Sequence, residues 1–407
     1  MYAPRSMLSA APPAFVVGLA LQLSWILLWL VPFPGREHFH AYAFDQAWVL
    51  AGAVLVIAGV HQLRRRVRAR RRMWLTIAMG ALGLALLVKI LLFVAFVRLR
   101  ITLSPSVWAG LASVTEWGMT MLAVIGALAL ALAGGRRTRV SGVMIVVGTL
   151  VTQLPPPVQG LVTRALGPDA AGIGSLVVWL IVGALLVMVA GSIHASVGDP
   201  ARPPAPSYDR AIRGLRALAI GLIVRGLVLA VTAFVLRGNS PVYMRIVIDG
   251  ADLASALAAG GALFVIAQAR LPALSPYLMQ LAAGVALASV VVLTFPSRWI
   301  AEVIAAGAWW STERFTTAIP IECELPMMIA LVCLAIVLAR RCAARLPVGA
   351  GGVVFIAAVL GAITAHTREP IWFACLAIAT VAFVPAIWAL RRQLVAEPVK
   401  TADDVFA

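Results

Sequence analysis

Residues 211–236 read AIRGLRALAIGLIVRGLVLAVTAFVL, an apolar run with one basic residue, Arg225, stranded deep inside it. About 20 apolar residues in succession cross the hydrocarbon core of a bilayer as a helix. The run therefore predicts a transmembrane helix, and its buried charge predicts a specific partner. Eleven more runs of the same kind lie near 13–33, 44–63, 74–98, 106–133, 140–163, 171–195, 246–270, 273–295, 320–340, 348–366 and 370–391. The expected fold class is all-α: a polytopic integral membrane protein of about 12 transmembrane helices, arranged as six outward-opening hairpins.

Composition agrees with that reading. The 407 residues are 62% hydrophobic and 12% charged, with a mean hydropathy of +0.99. A soluble domain is about half apolar and a quarter charged. A cytosolic enzyme, a disordered chain and a disulfide scaffold are excluded. The net charge of +17 would suggest nucleic acid if it formed one soluble basic face. It falls instead in short gaps between apolar runs, so no nucleic-acid partner is expected. Arg supplies 31 of the 33 basic residues, which, with the abundant Ala, reads as GC-rich bacterial coding and a bacterial inner-membrane location.

Basic residues in alternate loops set the orientation. One set of loops carries 22, including Arg64, Arg65, Arg66, Arg68, Arg70, Arg71 and Arg72, and the opposite set carries 9. Both termini are therefore expected in the cytoplasm, and the arginine run 64–72 is expected to contact anionic lipid headgroups. The first run is long, ends in Pro32 and Pro34, and lacks a small-residue cleavage site, so it reads as an uncleaved helix.

The chain divides into an N-terminal membrane half, 1–195, a Pro-rich cytoplasmic linker, 196–210, a C-terminal half, 211–391, and a tail, 392–407. The outer connection 296–319 places Trp299, Val303, Ala306 and Trp310 at helical spacing, predicting an interfacial helix near 297–311.

Sliding the chain by 136 residues superposes the third and fourth runs on the seventh and eighth without a gap. Lys89 falls on Arg225, Ser104-Pro105 on Ser240-Pro241, and Glu116 on Asp252. Lys89 and Arg225 are the only basic residues deep inside any run. The shared offset of base, turn and acid predicts a parallel internal repeat. A looser two-helix period relates Asp45, Glu116, Asp252 and Glu324.

Within each copy the base precedes the acid by 27 residues, with the turn midway, so the two lie at similar depth. Two ion pairs are expected, Lys89–Glu116 and Arg225–Asp252, because an unpaired charge at mid-bilayer costs at least about 2.5–3.5 kcal/mol. Ser113, Glu116 and Thr120 share one helical face, as do Asp249, Asp252 and Ser255 beside Ala256 and Ala259. Such stripes suit helix contact or a water-lined cavity, not lipid. Asp249 stands where the first copy has Ser113, leaving two carboxylates for Arg225. A surplus buried carboxylate must be protonated, find another base or hold a cation, so Asp249 and Asp252 are the foremost proton- or cation-coupling candidates.

Other signals are weaker. Gln153 opens the sequence QLPPP, which either breaks a helix at a transport site or simply ends it. Glu322 and Glu324 flank Cys323 before Pro326, where capping of a helix N-terminus is the expected role. His38 and His40 with Glu37 offer a less favoured metal cluster, and the remaining histidines His61, His194 and His366 do not converge on it. Cys323, Cys333, Cys342 and Cys375 match no zinc spacing and read as small buried residues. No HExxH, GxSxG or Walker A signature occurs, so no metal, cofactor or catalytic residue is expected.

The expected function is a secondary-carrier-like transporter of a small solute, with Lys89, Glu116, Arg225, Asp249 and Asp252 as substrate- or ion-coupling residues. Its partners are the lipid bilayer and a solute, proton or cation. The competing reading is a non-catalytic scaffold or subunit bound to a membrane protein partner, since buried ion pairs also fix helix register. An intramembrane enzyme acting on lipid ranks third, because no convergent acid–base residues near an interface support it.

Overall fold

The structure, a computed structural model, describes residues 11–30, 41–99, 104–134, 136–152, 164, 167–195, 208–235, 242–269, 271, 274–293, 324–341, 347–354, 356 and 370–396. These residues are almost entirely helical, and no strand occurs among them. Eleven long helices follow in order: α1 (Pro13–Leu30), α2 (Ala41–Arg64), α3 (Ala69–Leu99), α4 (Pro105–Gly134), α5 (Arg136–Thr152), α6 (Pro168–Ala195), α7 (Tyr208–Val235), α8 (Val242–Ala269), α9 (Pro276–Leu293), α10 (Leu325–Arg341) and α11 (Pro370–Ala396). Residues 347–354 form a further helical stretch.

Seven of these helices contain apolar segments long enough to cross a bilayer, namely Ala47–Arg64, Ala69–Leu92, Ser113–Gly134, Tyr208–Phe234, Val247–Ala269, Pro276–Leu293 and Ile371–Val395. Shorter apolar helical segments occupy Pro13–Ser24, Thr138–Thr149, Val177–Ile193 and Pro326–Arg340. The chain is a multi-pass helical protein with the apolar character of a membrane protein. The segment near 297–311 and most of the linker lie outside the described residues.

Local chemistry explains where the helices begin. Pro13, Pro105, Pro168, Pro276 and Pro370 each open one, a position that needs no N–H and welcomes the fixed proline φ. Gly167, at φ +83, makes the left-handed turn into Pro168, a conformation most other residues resist. Pro385 lies inside α11, where it removes one backbone hydrogen bond of the helix.

The chain forms two compact units, Met1–Pro32 with Trp48–Pro204, and Phe33–Ala47 with Ala205–Ala407. In the first, α3 packs on α4, α4 on α5 and α6, α5 on α6, and α6 on α1. Its core joins Phe15, Leu63, Leu75, Leu130, Ala133 and Ile193. These residues come from the start of α1 and α3 and the end of α2, α4 and α6, so the core lies at one end of the up-and-down bundle. At the opposite end of the α3–α4 hairpin, Leu84, Leu87, Leu91, Val107, Leu111 and Val114 are exposed, as suits lipid-facing helices.

In the second unit α7 packs on α8, α8 on α9, α9 on α10, α10 on α11, and α11 back on α7. The neighbours close a five-helix cycle. Small residues let them approach: a methyl group on Gly226 would stand 2.4 Å from Val381 Cγ2 on α11, and one on Gly221 would stand 3.2 Å from the Ala259 nitrogen on α8.

α1 and α2 also cross closely, with backbone near backbone. A methyl group on Gly59 would fall 2.6 Å from Phe15 Cβ and 2.7 Å from its nitrogen, whereas one on Gly83 would meet nothing within 4 Å. Gly59→Ala is expected to cost about 1–3 kcal/mol through overpacking. Gly83→Ala is expected to be neutral or to stabilise by up to about 1 kcal/mol through helix propensity. Thermal unfolding of the two variants in detergent, followed by tryptophan fluorescence, checks the contrast; equal midpoints would contradict the crossing.

Candidate functional site

Arg225 sits on α7 ten residues before its end, and Asp252 on α8 ten residues after its start. At 1.5 Å per residue both lie about 15 Å from those helix ends. The arginine is among the largest fully buried side chains described, at 1% exposure, and Asp252, Ser255 and Glu324 are 3%, 2% and 2% exposed. A buried guanidinium demands acceptors for its fork of N–H groups, and the surroundings supply them.

Arg225 Nη1 donates to Asp252 Oδ1 at 2.9 Å and makes longer contacts, each at 3.4 Å, with the Asp252 carbonyl oxygen and Ser255 Oγ. Ser255 Oγ in turn donates to the Asp252 carbonyl at 2.8 Å. The second nitrogen, Nη2, donates to Glu324 Oε2. One permanent cation is thus shared by two carboxyl groups from different helices.

Of the two expected ion pairs, Arg225–Asp252 is formed. The side chain of Glu116 lies outside the described residues, so the Lys89–Glu116 pair is not described. Lys89 itself is half-buried on α3 and makes interactions of its own. Ser113 is exposed, unlike the interior position its helical face suggested, while Thr120, two turns on, is buried. The reason is packing: the early part of α4 lies at the exposed end of the α3–α4 hairpin.

Asp249 is half-buried one turn before Asp252 and is not isolated. The second carboxyl group on Arg225 comes from Glu324, a residue whose position before Pro326 suggested capping. Sequence spacing offered no route to this contact, because 99 residues separate the partners. The one available signal was Glu324's place in the loose series of acids beginning at Asp45.

The fold gives Glu324 an unusual position. α10 has 17 residues and begins at Leu325, so it is about 26 Å long. Its first turn meets Arg225 and Asp252 at their depth, about 15 Å inside the end of α7 and α8.

Of the weaker candidates, Glu324 joins this cluster. The side chain of Asp45 and all of Gln153, His38, His40 and His366 lie outside the described residues. Cys333 is buried and Cys375 half-buried, both as free thiols, and no metal-binding group of histidine, cysteine and acidic residues occurs among the described residues.

Removing the cation alone leaves two buried carboxyl groups facing each other. Arg225→Met is therefore expected to cost about 3–5 kcal/mol, whereas the triple variant Arg225→Met, Asp252→Leu, Glu324→Met recovers most of that loss. Thermal unfolding of purified protein in detergent distinguishes them. A triple variant no more stable than Arg225→Met would refute the charge balance described here.

No known protein family, curated protein or solved structure matches the chain, so its chemistry is argued from this geometry.

Proposed function

We propose that the chain is a secondary-carrier-like membrane transporter of a small solute, in which Arg225, Asp252 and Glu324 take up and release a proton or a small cation. The observation that carries this reading is the charge of the buried cluster. With both carboxyl groups ionised it bears one net negative charge in a site only 1–3% exposed. Like charges so placed do not both ionise without a counter-ion. One proton shared between the carboxyl groups, or one cation beside them, neutralises the site. Sealed as it is, the cluster has the character of an occluded state.

In this proposal the helical stretches correspond to about 12 spans in six hairpins, with both termini on the cytoplasmic face of a bacterial inner membrane. The offset of 136 that superposes Lys89 on Arg225 and Glu116 on Asp252 supports a parallel repeat. Lys89, Glu116 and Asp249 then belong to the coupling pathway as relatives of the central cluster.

The near-total burial of Arg225 also favours the second reading, a membrane scaffold in which the cluster only fixes helix register. The two readings differ in water access. Ser255→Cys, in a background lacking the four native cysteines, is expected to react with a membrane-impermeant thiol reagent from one side of inverted or right-side-out vesicles. The reaction is expected to respond to an imposed pH gradient. Absence of labelling from both sides, with the detergent-denatured protein labelling fully, would favour the scaffold.

A further inference from the structure

We propose that the first unit is completed by a bound anionic phospholipid, whose phosphate is held by the arginines of the α2–α3 turn. This site is separate from the Arg225 cluster and does not depend on the carrier reading.

The turn is fixed in place before any lipid arrives. Leu63, Val67 and Leu75 are 1%, 3% and 0% exposed and enter the core of the unit. The backbone closes through Arg65 N–H to His61 O at 3.2 Å, Arg66 N–H to Leu63 O at 3.0 Å and Arg72 N–H to Arg68 O at 2.9 Å. Around these anchors stand Arg64, Arg65, Arg66, Arg68, Arg70, Arg71 and Arg72, seven cations in nine consecutive residues with no acid among them. The core therefore holds like charges together that would otherwise spread apart.

Two features of the turn indicate that an anion belongs there. Arg64 buries its Nε without a hydrogen-bond acceptor, and a buried donor left unmade is costly. Partial burial also pulls the Arg66 guanidinium below its ordinary pKa, because desolvation disfavours the charged form. A phosphate diester supplies acceptors with the geometry that guanidinium groups prefer.

Position selects a lipid over a soluble anion. The turn joins two segments of membrane-crossing length, Ala47–Arg64 and Ala69–Leu92, and so lies at headgroup level. Trp74, half-buried beside the core, is the kind of side chain that settles at that interface.

The test uses the full chain, delipidated in a neutral detergent. Phosphatidylglycerol is expected to raise its unfolding midpoint by about 5 °C, with phosphatidylcholine leaving it unchanged. The exposed-side variant Arg65→Gln, Arg68→Gln, Arg70→Gln, Arg72→Gln is expected to lose at least half of that shift, and Arg64→Gln most of it. Arg213→Gln with Arg216→Gln, on α7, is expected to retain it. Native mass spectrometry of the unmodified chain gives an independent reading, with phosphatidylglycerol retained in preference to phosphatidylcholine. Equal shifts from the two lipids, an undiminished shift in the four-arginine variant, or the same shift from inorganic pyrophosphate would overturn the proposal. The last outcome would assign the turn to a soluble anion.

Discussion

A charge in the middle of a bilayer has no water to turn to, and the second unit is organised around that constraint. Arg225 cannot lose its proton, so its helix must bring acceptors to it or not be buried at all. Asp252 and Ser255 come from the adjacent α8, and Glu324 comes from the start of α10. α7 does not pack along α10 among the described residues, since each lies between other neighbours in the cycle. The guanidinium thus bridges the helix cycle where apolar contacts do not. Two carboxyl groups thereby share one cation.

The rest of the architecture serves close approach. Helices in lipid gain little from apolar burial alone, because lipid tails are as apolar as leucine. They gain from contact, and contact requires small side chains. Gly226 admits Val381 beside Arg225, Gly221 admits the α8 backbone near Ala259, and Gly18, Gly52 and Gly59 bring α1 against α2. Larger residues at these places would hold the helices apart, and in the second unit would draw the acceptors away from Arg225.

The two hairpins that share base, turn and acid show how similar sequence meets different surroundings. α7 is flanked by α8 and α11, and its arginine is fully enclosed. α3 packs on α4, its outer leucines are exposed, and Lys89 is only half-buried. A lysine places a compact charge on a flexible stem, whereas an arginine offers a planar fork to two acceptors at once. The residue types suit these environments: the fork occupies the site with two carboxyl groups.

The sequence by itself determined the class of the molecule. Apolar runs of bilayer length require helices because no other open structure satisfies its backbone without water, and their boundaries follow from proline, glycine and arginine at the ends. It also indicated that Arg225 and Asp252 meet, since they stand at similar depth on consecutive runs joined by a short Ser-Pro connection. The partnership with Glu324 was decided by tertiary structure alone. Helical periodicity places residues on a face and at a depth, but it does not say which distant helix turns its end toward that face. Ser113 shows the same boundary from the other side: its helical face was legible, yet its exposure follows from which helices stand beside α4. Whether a polar stripe faces a neighbour or the bilayer is a property of packing, and packing among many similar apolar helices is set by contacts far apart in the chain.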